Sequence, residues 1–142
     1  MKRGVKKLEK IYLDHVSCTP THHSVIEAMV DSIKNCYGNP SNLHHFGQTA
    51  NKIVQTARDE VASLIGAKAE EIIFTSSGSE ANNFAIKGLA MANQKKGKHI
   101  ITSEIEHFSV LNPLKRLEKI GFEVTRIPVD KYGMIDPAEV AS

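Results

Sequence analysis

Apolar residues recur at helical spacing along most of this chain, with short extended runs between. Val25, Met29 and Ile33 are four residues apart and predict a helix over 21–36. Val54, Ala57, Val61 and Leu64 predict a second over 47–65, with Gly66 as its C′ stop. Further helical patterns cover 79–95 and 109–120. Lys95, Lys96 and Lys98 lie near the end of the first of these, where cations are favoured. Asp136-Pro137 supplies an N-cap followed by proline in the first helical position, so one more helix begins there. Runs at 72–75, 99–103 and 122–127 read as strands, 11–13 as a short extended segment, and 37–42 (Tyr-Gly-Asn-Pro-Ser-Asn) as a rigid turn-rich loop.

Strands alternating with helices of about a dozen residues or more predict α/β architecture: right-handed βαβ units, a mostly parallel sheet and flanking helices. Three or four strands are fewer than a doubly wound sheet normally carries. The last helix has only begun at Ser142. The expectation is therefore the front part of a larger domain rather than a small complete one.

Composition narrows the function classes. The 142 residues are 41% hydrophobic and 24% charged, with net charge +2. That is ordinary for a globular chain and too weakly basic to argue for nucleic acid or a membrane surface. No apolar run approaches the ~20 residues of a membrane span. The basic start, Met1-Lys2-Arg3-Gly4-Val5-Lys6-Lys7, lacks the apolar core of a signal peptide and reads as a solvated lysine-rich segment. Two cysteines, Cys18 and Cys36, do not make a disulfide framework, which makes a cytoplasmic, reducing compartment the default.

Candidate chemistry concentrates in Thr75-Ser76-Ser77-Gly78-Ser79-Glu80, where an apolar run enters a turn of small residues and a helix starts at once. Such a junction can bind phosphate through free N–H groups, the helix dipole and the Ser79 hydroxyl. It can equally be an ordinary serine cap. His107, just beyond the next strand, either enters a ligand crevice at the C-terminal edge of the sheet or faces solvent at a helix start. The pairs His22-His23 and His44-His45, and His15 alone, have no zinc-like spacing, and no metal is expected. Cys18 and Cys36 read as small hydrophobes, and Asn112-Pro113 as a loop or first-turn feature.

Taken in order, these blocks closely resemble the N-terminal part of NifS/IscS-type cysteine desulfurases, in the class V group of pyridoxal-phosphate (PLP) aminotransferases. The likeness runs through Ile11-Tyr12-Leu13-Asp14, Gly38-Asn39-Pro40-Ser41 with Phe46-Gly47, Glu71 to Ser76 with Glu80 and Asn83, and His99 to Ser103 with Glu106-His107. It ends with Gly121-Phe122-Glu123-Val124 and Asp136-Pro137. The resemblance implies the PLP-transferase fold (fold type I). Residues 1–15 would be an N-terminal segment that joins the small domain of a full-length member, and 16–142 a partial PLP-binding large domain. It implies that Gly78 and Ser79 bind the phosphate of pyridoxal 5'-phosphate, and that the catalytic His107 stacks on its ring and helps proton transfer. It implies conversion of L-cysteine to L-alanine, with sulfur passed on as persulfide for iron–sulfur cluster assembly or tRNA thiolation. The partners it implies are a sulfur-acceptor or scaffold protein and, in full-length form, a second copy in a homodimer.

Two departures stand out. Where the family has Asp-x-x-Ala-Thr-Thr-Pro, this chain reads Asp14-His15-Val16-Ser17-Cys18-Thr19-Pro20, a change that bears on substrate handling. Ser79 stands where threonine is usual, keeping the hydroxyl. The cofactor-linking lysine, the aspartate that pairs with the pyridine nitrogen and the persulfide cysteine lie downstream in the family, and Lys87, Lys95, Lys96 and Lys98 fit none of these roles. The chain by itself is expected to be an inactive N-terminal fragment. The alternatives are a related class V enzyme, a selenocysteine lyase or aminotransferase, and a non-catalytic remnant that binds a partner.

Overall fold

A computed structural model describes residues 10–141; the lysine-rich start lies outside them. The helices are α1 (His23–Asn35), α2 (His45–Ile65), α3 (Gly78–Asn93), α4 (Phe108–Glu118) and α5 (Pro137–Ala141). The strands are β1 (His99–Ser103) and β2 (Glu123–Ile127), and a 3-10 turn covers Ala69–Glu71. The chain forms two compact units, the first ending at Ile72 and the second starting at Ile73.

In the first unit α2 buries Gly47, Ala50 and Ala62. It stops at Gly66, whose φ of 68° is left-handed and whose N–H reaches the Ala62 and Ser63 carbonyls; glycine takes that conformation without a Cβ penalty. The Arg58 guanidinium donates to the Ile72 carbonyl and ties α2 to the segment after the 3-10 turn. Before α2, the loop folds tightly on itself. A Cβ on Gly38 would overlap the Phe46 carbonyl, and one on Gly47 the Asn42 carbonyl. The Tyr37 and Phe46 rings stack beside this turn, 5.4 Å apart.

In the second unit β1 and β2 are parallel, with His99 opposite Glu123 and Ser103 opposite Ile127. Parallel neighbours need a crossover, and α4 supplies it. Leu114 and Leu117 of α4 are fully buried with Phe122, against Ile86 and Ala90 of α3 and Ile100 and Val124 of the sheet. Glu118 and Arg126 form a two-pronged ion pair, at 2.9 and 3.1 Å, that links α4 to β2. The Arg126 hydrogen bonds hold the Glu118 carboxyl below the usual glutamate range.

Two expectations are corrected. Residues 72–75 belong to no ladder, although Ile72 has extended dihedrals (φ −93°, ψ 125°). A strand is defined by its neighbour, and this run meets none among the described residues. Pro113 lies inside α4 and is buried, rather than in a loop or first turn. It removes the N–H that would meet the Ser109 carbonyl, a loss a helix accepts when packing holds the turn.

Candidate functional site

Gly78, Ser79 and His107 lie in the second unit, at the N-terminal ends of α3 and α4. Ser77 caps α3: its side chain accepts from Glu80 N–H at 3.2 Å. The Glu80 carboxylate turns back and accepts from the Ser76 N–H at 2.6 Å and its hydroxyl at 2.7 Å. This is a capping box displaced by one residue, since the usual reciprocal bond goes to the cap's own N–H. The Ser76 backbone bond first, and its hydroxyl second, hold the Glu80 carboxyl below the usual glutamate range.

These bonds leave the first residues of the helix available. No hydrogen bond among the described residues uses the N–H of Gly78 or Ser79, and nothing lies within 4 Å of where a Gly78 Cβ would stand. Helix α3 is 16 residues long, so its dipole is fully developed. A small anion can therefore approach two unspent N–H groups and the Ser79 hydroxyl at a positive helix end. Glu80 is the nearby negative charge, and its carboxylate is already committed to Ser76.

His107 caps α4. Its Nδ1 accepts from Ser109 N–H at 3.1 Å and lies 2.8 Å from Ser109 Oγ. The Asn82 amide, from the second turn of α3, donates to the same Ser109 Oγ at 2.8 Å. Ser79 and Asn82 are three residues apart and share a side of α3. That side is thus the one turned towards the start of α4 and its histidine. The height of His107 above the sheet is set by two bonds: Glu104 N–H to the Ile127 carbonyl at 3.1 Å, and Ser103 Oγ to Glu106 at 2.8 Å.

Other candidates fall elsewhere. Lys87 Nζ donates to Asn83 Oδ1 at 2.6 Å, two turns into α3, and Asn83 in turn donates to the Ser79 carbonyl. His22 and His44 cap α1 and α2 through Nδ1. Cys18 is exposed, in a turn on the Asp14 carbonyl, and Cys36 closes α1. Among the described residues no three His, Cys, Asp or Glu side chains gather as a metal would need. Sequence reasoning missed Asn82 and Ser109. The Ser77-x-x-Glu80 spacing was a legible cap signal, but a bond between residues 27 apart leaves no local trace.

Comparison with known proteins places the chain in a family. Residues 11–142 match the aminotransferase class-V family model. The chain belongs to that family. It is 51% identical over 131 residues to the cysteine desulfurase IscS of Dictyoglomus turgidum, covering 92% of this chain and 33% of that protein. It is 48% identical over 130 residues to the cysteine desulfurase IscS of Methanosarcina thermophila, covering 92% and 32%. Among solved structures, a NifS-like protein superposes with a TM-score of 0.83 at 36% identity, over 87% of this chain and 34% of that one. SspA in complex with cysteine does so at 0.83 and 40%, over 91% and 37%. The class V chain thus has the α/β fold of NifS-like proteins, and it spans about a third of the length of these relatives. Among its described residues no helix is long and apolar enough to cross a membrane.

Proposed function

We propose that these residues are the cofactor-gripping part of a pyridoxal-phosphate-dependent cysteine desulfurase. The observation that carries the reading is the pairing, within one unit, of two unspent N–H groups at Gly78 and Ser79 with a histidine tied to the same side of α3 through Asn82 and Ser109. The family match and the desulfurase names of its relatives support it.

In this reading Gly78 and Ser79 hold the phosphate through N–H groups and the Ser79 hydroxyl, and the flat His107 ring lies against the pyridine ring. When bound, the cofactor supplies an electron sink for breaking bonds at the amino acid's α-carbon. The substrate is L-cysteine, in keeping with the cysteine complex of the SspA relative. The products are L-alanine and a persulfide, handed to an acceptor or scaffold protein, and the whole enzyme is a cytoplasmic homodimer. The 142 residues alone grip the cofactor without linking to it: Lys87 is engaged with Asn83, and Lys95, Lys96 and Lys98 lie beyond the end of α3.

The test is a titration of the 142-residue chain with pyridoxal phosphate and with pyridoxal. The phosphate form should bind at least ~10-fold more tightly, since anion contacts at a helix start are charge-assisted. Equal binding, or none, removes the grip. L-cysteine added to the loaded chain should yield no sulfide, and the lysine-linked absorbance near the visible edge should be missing.

A further inference from the structure

We infer that Asn82 and Ser109 are positioning residues that fix the hydrogen of the neutral His107 ring on Nε2, making the ring a hydrogen-bond donor and a stacking plate there. The assignment follows from one fact: a backbone amide can only donate. Ser109 N–H points at His107 Nδ1 from 3.1 Å, so Nδ1 must present its lone pair. Ser109 Oγ lies 2.8 Å from the same nitrogen, so the hydroxyl hydrogen is directed there too. The hydroxyl oxygen then has lone pairs left, and the Asn82 amide fills one of them at 2.8 Å. With Nδ1 as acceptor, each group in the chain Asn82 to Ser109 to His107 has a donor and acceptor assignment that satisfies its neighbour. The remaining ring hydrogen sits on Nε2, which makes no hydrogen bond among the described residues.

The consequence is chemical. The ring's only basic nitrogen is occupied by the cap of α4. At Nε2 the neutral ring donates a hydrogen bond and cannot accept one. With its hydrogen fixed there, His107 orients and stacks. What Nε2 meets rests on the cofactor reading above; the hydrogen's position does not.

The ring is read directly by long-range proton–nitrogen correlation on the nitrogen-15-labelled 142-residue chain without cofactor, with His107 assigned by its loss in His107→Asn. The expected pattern at neutral pH is Nε2–H with an acceptor Nδ1. Ser109→Ala should move Nδ1 towards the value of an unbonded acceptor and raise the share of the Nδ1–H form about five-fold, the worth of one neutral hydrogen bond. Asn82→Ala should move it the same way by less, and Ser109→Thr should restore the original spectrum. A hydrogen on Nδ1 in the unaltered chain overturns the inference, and so does an unchanged ring in Ser109→Ala. Adding pyridoxal phosphate then separates the two readings. A perturbed Nε2–H supports contact with the cofactor. A silent one overturns that contact while the tautomer assignment stands on the cofactor-free spectra.

Discussion

One carboxylate oxygen of Glu80 accepts from both the backbone N–H and the hydroxyl of Ser76, at 2.6 and 2.7 Å, while the Glu80 N–H is itself held by Ser77. The turn before α3 is thereby closed from both sides. These bonds favour the charged carboxylate and hold it below the usual glutamate range. A group whose value is lower in the folded state than in the unfolded one adds stability above its unfolded value, and that stability is lost as pH falls through the folded value. Denaturant midpoints followed from neutral pH down into the acid range should therefore fall less steeply in Glu80→Gln than in the unaltered chain. Identical slopes would show that Glu80 contributes nothing to the acid response.

Ser77 and Ser79 separate structure from binding. Ser77→Ala removes the cap of α3 and should cost about 1 kcal/mol of stability. Ser79→Ala removes a hydroxyl that no other described group uses, so stability should stay within ~0.5 kcal/mol while affinity for pyridoxal phosphate falls about five-fold. Thermal melts and a fluorescence titration on both variants check this. A Ser79 variant that melts early but binds normally would reverse the assignment.

Two glycines on tight backbone and one in open helix should respond with opposite signs. Gly38→Ala or Gly47→Ala forces a Cβ into a carbonyl and should destabilise by about 1–3 kcal/mol. Gly88→Ala, inside α3 with nothing within 4 Å, should stabilise by about 0.5–1 kcal/mol because alanine is the better helix former. Urea midpoints of the three variants decide it.

The core of the second unit is small enough for one residue to matter. Leu114 is 1% exposed, and Leu114→Ala should cost about 2–5 kcal/mol, enough to unfold the sheet at room temperature. Leu89, 67% exposed, should tolerate alanine within ~0.5 kcal/mol. Hydrogen exchange in β1 and β2 reports the difference.

Most helices were legible from spacing alone. The stripe from Val54 to Leu64 and the glycine at 66 located α2 to within two residues of its ends, because amphipathic period and left-handed stop are local properties. His99–Ser103 was located as observed. Residues 72–75 were not, because their apolar character marks burial potential whereas a ladder needs a second chain segment. Pro113 misled for the opposite reason: its local cost is offset by packing that the sequence does not display. At the site, the serine–glycine turn and His107 stood out by residue type. Asn82 and Ser109 did not, since what distinguishes them is a bond between two helices.

Only three residues, Glu104, Ile105 and Glu106, separate the end of β1 from His107, and both outer members are bonded: one to the neighbouring strand, the other to Ser103. The segment acts as a ruler with both ends clamped. Inserting or deleting one residue there would move the imidazole out of reach of the α3 start. On the proposed cofactor reading, length at 104–106 is therefore a functional variable, and a lengthened ruler should abolish stacking on the cofactor even with every side chain of the candidate site intact.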